Sequence, residues 1–287
     1  MPDEPFPLPV SLPVPVFIVP TAKVNPAEKR DIGLKYAKGD ILAFIDDDAY
    51  PAKDWLKNAA INFKNEEVAA VGGPAVTPPN DTMRQKASGL IFSSYIVSGN
   101  FRYRYVPDKR REVNDFPSCN LLVRKSVMLE LGGFDTALWP GEDTKLCLDI
   151  TRKLGRKIIY DPEVLVYHHR RDIFMPHLSQ IANYALHRGY FVKRYPQNSL
   201  KLAYFVPSVF LFFLIAGGLA SSIFDSFRLL YLLAISYYLL LGLFFSVICG
   251  LRVAVPVFLG IILTHLCYGM YFLKGLFSLR LKEEKIA

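Results

Sequence analysis

The spacing of apolar residues divides the chain in two. Up to about residue 195 they come in short runs separated by segments of helical spacing, whereas from residue 203 onward they form three long blocks. Those blocks, Ala203–Phe224, Leu229–Cys249 and Val253–Leu273, are each near the ~20 residues that cross a hydrocarbon core. The expectation is a domain over 1–195 followed by a membrane region over 196–287 with about three transmembrane helices (203–224, 229–249, 253–273). In the first part the predicted strands are Val16–Val19, Ile41–Ile45, Val68–Gly72, Asn120–Val123, Lys157–Tyr160 and Val164–Tyr167. The predicted helices are Glu28–Lys38, opened by Asn25-Pro26 and ended by Gly39, then Asp54–Phe63, Thr82–Gly99 and Lys125–Leu131, which stops at Gly132-Gly133. A last helix carries Leu146, Ile150 and Leu154 every four residues, with Asp143 in or just before its first turn. Strands alternating with helices predict an α/β domain with a mostly parallel sheet. Ile41–Ile45 lacks polar/apolar alternation, which suits a central parallel strand covered on both faces.

Composition narrows the class. Residues 1–200 carry 27 Lys+Arg against 23 Asp+Glu, and residues 201–287 carry 7 against 3, so each part has a net charge of +4. With no aromatic-basic recognition motif, this excess points to an anionic membrane face and to no nucleic-acid partner. Cys119, Cys147, Cys249 and Cys267 have no paired spacing, so neither a disulfide framework nor a zinc site is expected. Met1–Pro20 lacks a basic leader and is rich in proline, so no signal peptide is expected and the domain is placed on the cytoplasmic side. Lys193, Arg194 and Lys201 before the first apolar block agree with that side. The segment Phe174–Tyr195 is expected to lie along the interface. Lys274, Arg280, Lys282 and Lys285 sit awkwardly with three crossings, which would put the tail outside.

Three constellations carry chemistry. The strand Ile41–Ile45 runs straight into Asp46, Asp47 and Asp48, adjacent carboxylates that raise one another's pKa unless a cation or hydrogen bonds hold them. A divalent ion with oxygen ligands does this, and the alternative is a solvated acidic turn closed by Pro51. Glu142-Asp143 follows the loop Trp139-Pro140-Gly141; paired carboxylates can lift one pKa toward that of a general base, while an acid at a helix start can be only a cap. His168-His169-Arg170-Arg171 offers imidazoles for a metal and guanidiniums for phosphate. The cations of Arg102–Arg111 fit a solvated loop or contact with phosphates.

Taken together and in order, four segments resemble family 2 of the nucleotide-sugar glycosyltransferases, inverting enzymes of the GT-A fold. They are KRDIGLKYAKGDILAFIDDDAYP at Lys29–Pro51, FPSCNLLVRKSV at Phe116–Val127, GGFD at Gly132–Asp135 and GEDTKLCLDI at Gly141–Ile150. The resemblance spans about Asn25 to His169. It implies that Asp46–Asp48 is the DXD-type motif, with Asp48 a direct ligand of Mg²⁺ or Mn²⁺ and Asp46 near the ribose or the ion. It further implies Asp143 as the base with Glu142 beside it, and His169, or else His168, completing the metal shell. Lys29, Arg30, Asp47, Arg170 and Arg171 fall on the nucleotide-sugar side, and Asn120 and Trp139 on the acceptor side. Family members have two further strands and a base-holding loop before this point, whereas 45 residues precede the triplet here. The expectation is therefore a GT-A-like domain lacking its opening βαβ unit, with VFIVPT at Val16–Thr21 as the strand before the Lys29 helix. Asp31 stands where Asn is common.

The expected function is a membrane-anchored, metal-assisted glycosyltransferase that moves a sugar from a nucleotide-sugar donor, with inversion, to a lipid-linked or cell-surface glycan acceptor. The alternatives are a non-catalytic membrane protein that keeps the fold without binding a donor, and a metal-dependent phosphohydrolase.

Overall fold

The computed structural model describes residues 15–283. Strand β1 (Ile41–Ile45) is followed by β2 (Ala49–Pro51), β3 (Val68–Gly72), β4 (Ala75–Val76), β5 (Arg111–Val113), β6 (Asn120–Arg124), β7 (Lys157–Tyr160) and β8 (Val166–His168). The first helices are α1 (Pro26–Leu34), α2 (Trp55–Asn62), α3 (Met83–Phe92) and α4 (Tyr95–Ser98). They are followed by α5 (Lys125–Leu131), α6 (Glu142–Leu148), α7 (Met175–Arg194) and α8 (Pro196–Ser199). The apolar blocks form α9 (Leu202–Ile223), α10 (Asp225–Ile248) and α11 (Leu251–Phe277). These last three are long and apolar enough to cross a membrane.

The main sheet has the order β1-β6-β3-β7-β5 and is mixed, not mostly parallel: only β3 and β7 run parallel, and the other three pairings are antiparallel. The excursion through α3, α4 and β5 brings the chain back at the end where β1 and β3 finish. As a result β6 starts there, with Asn120 opposite Ile45 and Leu121 opposite Gly72. Strand β3 is buried along its whole length, as its unbroken apolar run requires. Side chains alternate across the sheet. Leu121, Val123, Ile158 and Tyr160 face Phe134, Leu146 and Ile150 on one side, while Leu122 and Ile159 face Trp55 and Ala59 on the other.

Two expectations fail at the N-terminal end. Val16–Val19 forms no strand, and β1 is not a central strand: among the described residues it pairs only with β6, and Ala43 and Ile45 are exposed. Its apolar run therefore lines a cleft instead of a second core layer. Helix α1 begins as expected, with the Asn25 side chain accepting from the Glu28 backbone N–H at 2.9 Å, but stops at Leu34, short of Gly39. Helix α5 ends where expected, with Gly132 in the left-handed region at φ +78°, which glycine adopts without a Cβ penalty.

Candidate functional site

A cleft of about 1040 Å³ opens at the end of β1. Its walls are α1 and β1, the Asp46–Asp48 turn, Pro117–Cys119 ahead of β6, the Trp139-Pro140 loop with the start of α6, and one face of α7. In an open α/β sheet this is where ligands bind, beyond the carboxyl ends of the strands.

On one wall, the pairing of β2 with β8 sets Ala49 opposite His168. His168 Nε2 lies 2.9 Å from Asp48 Oδ1. Ligand atoms of Asp46, Asp48 and His168 all lie within 4.8 Å of one another, close to the ~4.4 Å span of atoms bound to one ion at ~2.2 Å. The donor set of two carboxylates and an imidazole suits a divalent cation. Burial would push Asp48 up, but the hydrogen bond and charge of His168, together with Arg171, outweigh it and hold its carboxyl below the usual range. Asp46 is pushed upward by burial, against the opposing pull of Arg30 and His168.

His169 is not the imidazole that meets the carboxylates. Neighbouring residues of a strand point to opposite faces, and with His168 turned inward the His169 ring turns to Asp81, with which its Nδ1 makes a short contact. Arg170 also departs from expectation. It is buried, spending its guanidinium on the Ala75 carbonyl, Thr77 Oγ1 at 3.2 Å and His168 Nδ1 at 3.3 Å, so it braces the crossing strands. Of the two neighbouring arginines, Arg171 is the one that lines the cleft. Lys29 and Asp47 line it as well.

Arg30 ties the two walls together. Its Nη2 reaches Asp46 Oδ1 at 3.2 Å and its Nη1 reaches Glu142 Oε1 at 2.5 Å. It projects from α1, which is anchored by Asp31: that carboxylate accepts from the Phe134 backbone N–H at 2.8 Å and fills the space beside Gly133. Glu142 is buried, and its second oxygen accepts from the Gly141 N–H at 3.0 Å, so both oxygens are engaged. Asp143, the next residue, lies open to the cleft. Its oxygens accept from the backbone N–H of Thr144 at 2.7 Å and of Ser118 at 3.3 Å. Burial first, then the charges of Glu142 and Asp115, push its pKa up to about 7.

Sequence reasoning missed Asp115. It is buried beneath α6, accepting from Thr144 Oγ1 at 3.1 Å and lying 3.1 Å from Arg188 Nη1 and 3.4 Å from Arg104 Nη2. Burial would raise its pKa, but Arg188, Arg104 and Lys201 hold it below the usual carboxylate range. Nothing local marks it out, since its partners come from residues 104 and 188. Asn120 is misassigned to the acceptor side. It is buried, donates to the carbonyls of Gly73 at 2.8 Å and Val164 at 2.7 Å, and accepts from Trp55 Nε1 at 2.9 Å, so it knits the two sheets together. Trp139 is half exposed on the cleft rim.

Residues 12–132 match the family described as Glycosyl transferase family 2. Over this segment the chain resembles glycosyl transferase family 2. The matched segment contains Arg30 and the aspartate triplet, while Asp143 and His168 lie beyond it, so their placement rests on geometry. The chain is 27% identical over 178 residues to the pre-mycofactocin glycosyltransferase of Mycobacterium tuberculosis, covering 62% of this chain and 37% of that protein. It is also 27% identical over 146 residues to the glucosyl-dolichyl phosphate glucuronosyltransferase of Haloferax volcanii, covering 48% of this chain and 46% of that protein. The chain thus spans less than half the length of these relatives. Among solved structures, the mannosyltransferase PcManGT from Pyrobaculum calidifontis, in complex with GDP-Man and Mn²⁺, aligns with a TM-score of 0.55 at 18% identity, covering 85% of this chain and 68% of that one. That likeness supports the GT-A-type fold.

Proposed function

We propose that this chain is a membrane-bound family 2 glycosyltransferase that moves a sugar from a nucleotide-sugar donor, with inversion, to a lipid-linked or glycan acceptor on the cytoplasmic face. The observation that carries this reading is the pairing, across one cleft, of an Asp46/Asp48/His168 cluster with a carboxylate whose pKa is lifted to about 7. The solved mannosyltransferase carries a nucleotide sugar and Mn²⁺, and the archaeal relative's name gives it a lipid-phosphate-linked acceptor.

Asp46, Asp48 and His168 would hold a Mg²⁺ or Mn²⁺ ion. When bound, such an ion supplies positive charge where the diphosphate gathers negative charge as it leaves. Arg171 adds a cation on the same wall. Asp143 takes the proton of the acceptor hydroxyl as that oxygen bonds to the anomeric carbon and the bond to the nucleoside diphosphate breaks on the opposite side. With its pKa near 7, the carboxylate is about half ionised at neutral pH and basic enough to accept the proton. Glu142 is held by Arg30 and sets the negative field that keeps Asp143 basic.

The open edge of β1 favours a second reading, a fold that binds no donor, because the described residues put no strand beyond Ile41–Ile45 to hold a nucleotide base. Calorimetric titration with GDP- and UDP-sugars in the presence of Mn²⁺ separates the two, followed by transfer assays with polyprenyl phosphates. Manganese-dependent binding with product release as nucleoside diphosphate supports transfer; absence of binding for every donor refutes it.

A further inference from the structure

Both ends of α11 rest on the catalytic domain. At its start, Val253, Val257 and Ile261 share a buried cluster with Ala87 and Ile91 of α3 and with Ile173. In the middle, Thr264 Oγ1 lies 3.0 Å from His177 Nε2 and His265 Nε2 lies 2.9 Å from the Ile96 carbonyl. Near its end a Cβ on Gly275 would sit 1.9 Å from the Leu186 carbonyl oxygen, so the backbones of α11 and α7 touch there. Past it, Lys193 Nζ donates to the Ser278 carbonyl at 2.7 Å, and Leu281 packs with Leu138, Tyr190 and Phe191 beside the cleft. Contacts therefore ascend together along α7 and α11, which run side by side and parallel.

A helix of 27 residues is about 40 Å long, enough to span a ~30 Å core. If α11 crossed the bilayer, however, it would carry α7 into the core with it. Helix α7 bears Arg188, Lys193 and Arg194, and its other face lines the catalytic cleft. The exposed large apolar residues of α11 instead form one stripe, Leu251, Val255, Leu259, Leu263, Met270 and Phe277, with the exposed cations Arg252 and Lys274 near its two ends, where long side chains reach the headgroups. Such a stripe on a helix otherwise covered by protein is the pattern of a helix lying in the membrane plane.

Helices α9 and α10 behave differently. Their most apolar windows are 17% and 11% buried, against 44% for α11. The open end of this hairpin is held at the domain, by Lys201 Nζ to Asn114 Oδ1 at 2.9 Å on one side and by Cys249 packed against the cluster that α3, Ile173 and the start of α11 share on the other. Its tip carries an exposed ion pair, Arg228 with Asp225 at 2.8 Å.

We propose that the chain crosses the membrane twice, through α9 and α10, while α11 lies in the interfacial plane beneath α7 with its apolar stripe on the lipid. The C-terminal tail then returns to the face that holds the catalytic domain, where Lys274, Arg280 and Lys282 agree with the positive-inside rule. The floor of the cleft, α7, stands one helix spacing of ~8–10 Å above the lipid-facing helix, at headgroup height.

Lys53→Cys on the domain, Ser226→Cys at the hairpin tip and Lys282→Cys in the tail, each exposed, are made separately in the full chain. They are reacted with an impermeant maleimide in sealed vesicles of one orientation, with the unsubstituted chain as the blank. Positions 53 and 282 are expected to label from one face and position 226 from the other. Labelling of 282 from the face of 226 overturns the in-plane helix, and labelling of 226 from the face of 53 overturns the two crossings. Nitroxides on cysteines at Val255, Leu263 and Met270 give a second reading: equal, shallow depths are expected. A depth series that passes through the bilayer centre refutes the proposal even if one of the labelling variants fails to fold.

Discussion

Asp143→Asn separates catalysis from stability, because the same burial that makes Asp143 a base makes it costly to ionise. Its pKa rises from 3.8 to about 7. About three pH units at 1.36 kcal/mol each put the cost of its charge in the folded state at roughly 4 kcal/mol. The sign follows from proton binding. Between about pH 4 and 7 the folded state holds a proton that the unfolded state has lost, so this carboxyl costs stability progressively as pH rises and in full above about pH 7. Asparagine keeps the shape without the charge. It retains an acceptor for the Thr144 N–H but turns its amide toward the Ser118 N–H, which returns about 1–2 kcal/mol of the gain. The variant is therefore expected to be about 2 kcal/mol more stable than the parent at pH 8, a few degrees in Tm for a chain of this size, with the difference crossing zero in between and becoming about 1–2 kcal/mol in the parent's favour near pH 4, where only the hydrogen-bond loss remains. Its transfer rate is expected to drop by ~10²–10⁴, since an amide cannot take the acceptor proton. The parent's rate at subsaturating substrate should fall about tenfold per unit below pH 7. Differential scanning fluorimetry of the detergent-solubilised proteins across pH 4–9, paired with transfer assays, reads both quantities. A Tm difference independent of pH, or a variant retaining a tenth of the activity, refutes the assignment.

Asp48→Ala is expected to abolish transfer while leaving Tm within about a degree, and full activity of this variant in chelator would refute the role of the cluster. His168→Ala is expected to raise the Mn²⁺ concentration needed for donor binding by about tenfold or more, whereas His169→Ala, which loses its contacts with Asp81 and the Tyr50 ring, leaves that concentration unchanged; equal effects would erase the distinction drawn from the register. Asn120→Ala strands two buried carbonyls and the Trp55 N–H, so it should cost about 3 kcal/mol of stability with acceptor KM unchanged, measured well below its Tm. A selective rise in acceptor KM would restore Asn120 to the acceptor side.

The sequence by itself determined the parts with a local physical cause. An unbroken apolar run forces burial of Val68–Gly72, three long apolar blocks force contact with lipid or with one another, and Gly132 stops the Lys125–Leu131 helix where predicted. Three carboxylates in a row at a strand end, and a Glu-Asp pair at a helix start, were legible as chemistry because like charges so close need a reason. What depended on partners far along the chain was not legible. The choice of His168 over His169 follows from the register of β2 on β8, since a strand turns adjacent side chains to opposite faces and one step of slip would exchange them. The antiparallel entry of β6, the exposure of β1 and the brace role of Arg170 arise the same way, from pairings across the sheets. Asp115 gains its meaning only when Arg104 and Arg188 converge on it. Length and hydropathy make α11 look like a third span, because both quantities are properties of the helix alone. What covers each of its faces is decided by α7 and α3 together with α9 and α10, and that is a property of the packed chain.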